Sequence, residues 1–253
     1  MLPDALFWNV HMYGILIAVG ILAAFAVLFL YAKRKGLDPK FTDFVFYTAI
    51  GAIVFGFFAA ALFQATYNYI ENPRAGFSLG GGITFIGGLI GGTLFFLAVY
   101  FLLGRRRGVS LLAIVTLAPC MITVAHAFGR VGCFFAGCCY GKQTDSVLGV
   151  KFPALRHEVL PTQLWEAIFL FLLFGLCSYL YLKKDFRHNM SVYLIGYGAW
   201  RFGLEFLRDD ARGKLLGALS PSQFWSLVMI AAGVGLYVLL RHLSRSQTKT
   251  ENV

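Results

Sequence analysis

Apolar runs recur along this chain near Val10–Tyr31, Phe44–Ala65, Thr84–Leu103, Leu111–Phe128, Leu164–Leu182, Met190–Phe206 and Phe224–Leu240. Each approaches the roughly 20 residues that a helix needs to cross a hydrocarbon layer. Lipid satisfies such runs only when every backbone polar group bonds within the segment, so helices are expected. The chain is 58% hydrophobic and 13% charged, a balance that would leave a soluble domain with much apolar surface against water. The expected fold is therefore all-α: a polytopic integral membrane protein with about seven transmembrane helices. Residues 1–243 read as a single transmembrane domain, and 244–253 as a polar tail able to fray. The sixth and seventh runs are short, and the fourth contains Pro119.

The formal charge of +10 does not point to nucleic acid, because the basic residues fall in short groups between apolar runs rather than along one polar face. The lipid bilayer, with its anionic headgroups, is the expected partner. Lys33 is the first basic residue, so no positive region precedes the first apolar run, and that span is expected to be retained. Cytoplasmic loops retain Lys and Arg close to the membrane. Dense groups at Lys33–Lys40, Arg105–Arg107, Lys183–Arg187 and Arg241–Lys249 alternate with sparser ones around Arg74, Arg130–Arg156 and Arg201–Lys214. The amino terminus is thus expected outside and the carboxyl terminus in the cytoplasm, with outer-face segments near 68–82, 129–161 and 208–221.

Chemistry concentrates in a few stretches. HAFGRVGCFFAGCCYGK, from His126 to Lys142, puts Gly, Arg and Cys where a plain span would carry Leu and Ile. Gly129, Gly132, Gly137 and Gly141 permit close backbone approach or positive φ. Arg130 at a membrane boundary can grip a phosphate through its bidentate fork; the alternative is an arginine that only snorkels. Arg201 lies inside an apolar run with Glu205 four residues on, on the same helical face. Intramembrane charges are costly and usually paired and functional, although a structural pair would look the same.

GGGITFIGGLIGG, from Gly80 to Gly92, suits either helix packing through small residues or a Gly-rich turn that admits a headgroup. Cys133, Cys138 and Cys139, with His126, invite thiol chemistry, since Arg130, Lys142 or His126 could lower a thiol pKa. No CxxC pair or second histidine at ligand spacing accompanies them, so no metal is expected.

Taken together, HMYG, GGITFIGGLIGG, GRVGCFFAGCCYGK, LPTQLWE and GYGAWRFGLEFLRD, in that order, resemble the prolipoprotein diacylglyceryl transferase family across most of the chain. The resemblance implies seven spans with the amino terminus outside, in the bacterial cytoplasmic (inner) membrane. It implies transfer of a diacylglyceryl group from phosphatidylglycerol, or a similar anionic phospholipid, to the lipobox cysteine thiol of a preprolipoprotein signal peptide. Glycerol phosphate leaves, and no cofactor is needed. Arg130 matches the family's signature arginine, Arg201 its later essential arginine, Tyr13 the first-span tyrosine and Gly141 the signature's late glycine. Gln163 lies in the matching Pro-Thr-Gln segment. The site expected is Arg130, Arg201, Tyr13 and Glu205 for catalysis, with Gly87, Gly88, Gly129, Gly137, Gly141 and Gln163 around the substrate.

The chain departs from that pattern at several polar positions. Ile86 stands where the family has a functional histidine, Cys133 replaces an asparagine, Cys138 a glutamate, Leu160 the histidine before Pro-Thr-Gln, and Ala61 an arginine. Loss of a positioned acid or base commonly costs about 10² to 10⁴ in rate. Three other readings follow: a divergent paralogue acting on another acceptor with its outer-face cysteines, an outer-face thiol oxidoreductase, and a non-enzymatic protein that binds or transports anionic lipid.

Overall fold

The computed structural model describes residues 11–80, 82, 84–208 and 219–250. It contains seven long helices: α1 (Met12–Arg34), α2 (Pro39–Glu71), α3 (Phe85–Val99), α4 (Leu111–Phe135), α5 (Thr162–Lys184), α6 (Asn189–Leu204) and α7 (Pro221–Thr250). A two-residue antiparallel pair, β1 (Val150–Lys151) with β2 (Glu158–Val159), lies between α4 and α5. The protein is a multi-pass helical membrane protein. Among the described residues, six helices are long and apolar enough to cross a bilayer, α3 by continuing as a π-helix over Tyr100–Gly104 so that the span runs Ile86–Gly104. The exception is α6, whose 16 residues reach about 24 Å, short of a hydrocarbon core of about 30 Å.

Helix ends differ from the apolar runs where capping and propagation outlast hydrophobicity. Asp38 starts α2 by accepting from the Lys40 amide at 2.8 Å, with Pro39 in the first turn. α2 then runs 33 residues, about 50 Å, so its ends project beyond the hydrocarbon. α4 passes through Pro119 and continues to Phe135, which places Arg130 and Cys133 in a helix rather than in the loop expected from 129; that loop begins at Ala136. The seventh run is not short: α7 continues in helix to Thr250 through most of the tail expected to fray. Most of the expected 208–221 segment, and residues 251–253, lie outside the described residues.

The chain divides into two compact units, Ala32–Ile114 and the remainder, Met1–Tyr31 with Val115–Val253. The first is built on α2 and α3, zipped by small residues. A Cβ on Gly88 would lie 3.2 Å from the Gly56 carbonyl oxygen, and one on Gly92 3.0 Å from that of Ala52. On Gly87 a Cβ would stand 2.6 Å from the Phe63 Cβ. Gly87 and Gly88 therefore lie inside α3 and pack it against α2. The reason is that lipid supplies no hydrophobic drive between helices, so close backbone approach does the work. Thr84 closes this hairpin, its hydroxyl donating to Gln64 at 2.6 Å.

In the other unit α1 meets α4 closely: a Cβ on Gly20 would stand 2.8 Å from the Ala125 carbonyl oxygen. Asn189, fully buried, donates to the carbonyls of Thr116 at 2.9 Å and Cys177 at 3.2 Å, tying α4, α5 and α6 together. Phe169 of α5 stacks on Trp200 of α6 at 4.5 Å. α6 and α7 close through Gly198, where a Cβ would lie 3.0 Å from the Ser226 carbonyl oxygen, and Gly233. This bundle carries the candidate site.

Candidate active site

Three helices of the larger unit, α4, α5 and α6, contribute ionisable groups to its interior. Arg130, near the end of α4, places Nε 3.2 Å from Glu166 Oε1 and shares that proton with His126 Nε2, also at 3.2 Å. Glu166, on α5, is fully buried, and its Oε1 also accepts from the Tyr197 hydroxyl of α6 at 2.7 Å. The rings of His126 and Tyr197 meet edge to face at 5.0 Å. Arg130 is thus held at its Nε edge by two partners, which directs the rest of its planar fork away from them.

Arg201 sits in the last turn of α6, where the helix dipole favours a cation. Its Nη2 pairs with Glu205 Oε2 at 2.9 Å, as the four-residue spacing led us to expect, and donates to Ser222 of α7 at 2.9 Å. Ser220 donates to the other Glu205 oxygen at 2.8 Å. Arg201 Nη1 is buried and makes no hydrogen bond, a costly arrangement unless a ligand answers it. Both arginines lie within Coulombic reach of Glu166 and His126. Among the described residues, the Asp, Glu, Lys and Arg side chains of this unit that escape full exposure are Arg130, Arg201 and Arg208 against Glu166 and Glu205. Arg130 and Arg201 each pair with one of these carboxylates, and Arg208 faces Cys139.

Tyr13, in the first turn of α1, packs on α4, where a Cβ on Gly132 would stand 3.1 Å from its ring. It lies within Coulombic reach of Arg130 and of the three clustered cysteines. A Cβ on Gly129 would meet nothing within 4 Å, so space is open on that side of α4.

Three members of the expected substrate set, Gly137, Gly141 and Gln163, hold the backbone after α4. Gly137, at φ 68°, ends α4 in the left-handed conformation glycine adopts most easily, and the Cys138 amide donates back to the Cys133 carbonyl at 3.1 Å. At Gly141 three stretches of chain meet: its amide donates to Leu160 at 2.8 Å, and a Cβ would lie 2.6 Å from the Leu207 carbonyl oxygen and 2.7 Å from Thr162. Gln163 is fully buried, its amide nitrogen donating to the Cys138 carbonyl at 2.6 Å, while Thr162 donates to the Cys139 carbonyl at 3.1 Å. Gly137, Gly141 and Gln163 are therefore positioning residues for the loop after α4.

That loop gathers the cysteines. The sulfurs of Cys133, Cys138 and Cys139 all lie within 4.8 Å of one another. Cys139 holds φ at 64°, a conformation costing a non-glycine residue about 1–3 kcal/mol. Hydrogen bonds from the Cys133 and Cys138 thiols, and the nearby Arg208 guanidinium, pull the Cys139 thiol below its ordinary pKa. His126 does not join them: it lies seven residues before Cys133, about 10 Å along the helix, bound to Arg130.

Glu166, Tyr197, Ser222 and Arg208 escaped the sequence reading. Glu166 carried a usable signal, since a carboxylate inside LPTQLWEAIFLFLLFG is itself an intramembrane charge. Nothing in the spacing marked Tyr197 or Ser222.

These features define a polytopic helical membrane protein with arginine–glutamate pairs in its interior, a class equipped to handle charged groups within or at the edge of a bilayer. The chain belongs to the prolipoprotein diacylglyceryl transferase family, whose profile, described as Prolipoprotein diacylglyceryl transferase, matches residues 4–239. It is similar to the phosphatidylglycerol–prolipoprotein diacylglyceryl transferase of Clostridium tetani, 37% identical over 239 residues, covering 90% of this chain and 92% of that one. A relative named phosphatidylglycerol–prolipoprotein diacylglyceryl transferase 2, from Clostridium perfringens, is 31% identical over 95% of this chain and 94% of its own. The transferase of Bordetella avium is 32% identical over 94% and 93% respectively.

Proposed function

We propose that this chain transfers a diacylglyceryl group from phosphatidylglycerol to the lipobox cysteine of a prolipoprotein, at the outer face of a bacterial inner membrane. The observation that carries the reading is the pairing of Arg130 with Glu166 and of Arg201 with Glu205 in one helical unit of a family member. The density of Lys and Arg in alternate loops supports an outer amino terminus and a cytoplasmic carboxyl terminus.

In the reaction the acceptor sulfur attacks the glyceryl carbon, the carbon–oxygen bond to phosphate breaks, a thioether forms and glycerol phosphate leaves. The acceptor thiol gives up its proton, and negative charge grows on the departing phosphate. Groups already fixed in place stabilise such charge best. Arg130, with Nε committed to Glu166, turns its free edge to the phosphate, and Arg201 Nη1 supplies a second donor. Tyr13 borders the same region from α1.

Mass spectrometry of a lipobox peptide incubated with purified protein and phosphatidylglycerol tests this. A diacylglyceryl mass gain lost in both Arg130→Ala and Arg201→Ala variants supports the assignment. No gain, with the lipid still bound, rejects it and favours a family member using another acceptor, a reading that the departures at Ile86, Cys133, Cys138 and Leu160 keep open.

A further inference from the structure

The geometry of the loop after α4 points to a metal site: we propose that Cys133, Cys138 and Cys139 bind a thiophilic d¹⁰ cation of the Zn²⁺ class through three thiolates. The inference is independent of the transferase reading. It revises the expectation of no metal, which rested on the missing CxxC spacing.

Neighbouring residues in extended chain point to opposite sides, so adjacent cysteines ordinarily diverge. Here the left-handed conformation at Cys139 breaks that alternation, while Gly137 folds the chain back so that Cys138 lies over Cys133. The result is three sulfurs mutually within 4.8 Å. At a Zn–S distance of about 2.3 Å, tetrahedral geometry needs sulfurs about 3.8 Å apart, so a contraction of at most about 1 Å completes the ligand set. The loop is held for this from outside: Gln163 and Thr162 clamp the carbonyls of Cys138 and Cys139.

Charge agrees with the geometry. Binding a divalent ion releases three thiol protons and leaves a complex of charge −1. Arg208, buried, faces Cys139, and Arg130 acts on Cys133, so two cations stand near the anionic complex. A disulfide would use two of the sulfurs and leave the third without a role. Three protein ligands also leave a coordination position open.

The test uses full-length protein in detergent, reduced until all five cysteines titrate as thiols after denaturation. Cd²⁺ is added to read sulfur-to-metal charge transfer, and Zn²⁺ affinity is measured against a chromogenic chelator. The expected result is one ion per chain, with band intensity for three thiolates. Cys138→Ser and Cys139→Ser should each weaken Zn²⁺ binding at least a hundredfold, whereas Cys177→Ser, in α5 and outside the cluster, should change neither reading. Circular dichroism and elution volume confirm that each variant is folded. Reduced, folded protein with no charge-transfer band overturns the site, as does a band indifferent to Cys138→Ser. A disulfide that re-forms among the three while the reduced form takes up no metal overturns it equally.

Discussion

Arg130 Nε stands 3.2 Å from Glu166 Oε1, joining the end of α4 to the start of α5 with the carboxylate fully shielded from solvent. A buried pair of this kind gives little net stability, because desolvation offsets the attraction. What it supplies is orientation, since the guanidinium cannot rotate without stranding a charge.

Replacing Glu166 by Gln keeps the shape and the bond to Tyr197 but removes the charge that fixes Arg130. Diacylglyceryl transfer should fall about 10- to 100-fold, the scale on which orienting partners act. The unfolding temperature in detergent should also fall, because Arg130 keeps its charge without the carboxylate, so transfer is compared per folded protein. Full turnover in a folded Glu166→Gln protein would remove the pair from the mechanism.

The Arg201–Glu205 pair separates structural from functional roles through a double variant. Arg201→Ala alone should cost about 3–5 kcal/mol by leaving Glu205 buried without its partner, and about 10² to 10³ in rate. Adding Glu205→Ala should restore most of the stability and none of the activity. If activity returns along with stability, the pair is structural only, as an unfolding curve and a transfer assay on the same preparation will reveal.

The α2–α3 hairpin offers a test without chemistry. A Cβ on Gly91 would collide with that of Ala59, so Gly91→Ala should destabilise by about 1–3 kcal/mol through overpacking. Ala59→Gly in the same chain should recover part of that loss, and denaturant titration of the two singles and the double measures the coupling. Additive effects would mean that the two helices do not pack through these residues.

At Gly141 an added methyl would meet the Leu207 carbonyl, which backbone cannot yield cheaply. Gly141→Ala is expected to lower the unfolding temperature clearly and to reduce transfer. Gly129→Ala, with open space around it, should unfold at the same temperature or higher. Equal behaviour of the two variants in a melting experiment would contradict the meeting of three chain segments at Gly141.

The helices and their membrane setting were legible in the residues themselves, because a run of about 20 apolar side chains has few other ways to meet its solvent. The Arg201–Glu205 pair was legible for a similar reason: its partners lie one helical turn apart, and helical geometry alone brings them together. Glu166 is 36 residues from Arg130 along the chain, and only the packing of α4 against α5 makes them neighbours. The glycines of α3 and Gly141 allowed more than one use on paper; what stands against each, a helix face or a carbonyl, decided between them. The three cysteines lack any familiar spacing, and their convergence depends on two left-handed residues and two side-chain clamps. Local periodicity determines which segments become helices, whereas long-range contacts decide which charges and thiols meet, since those contacts form only when the helices pack.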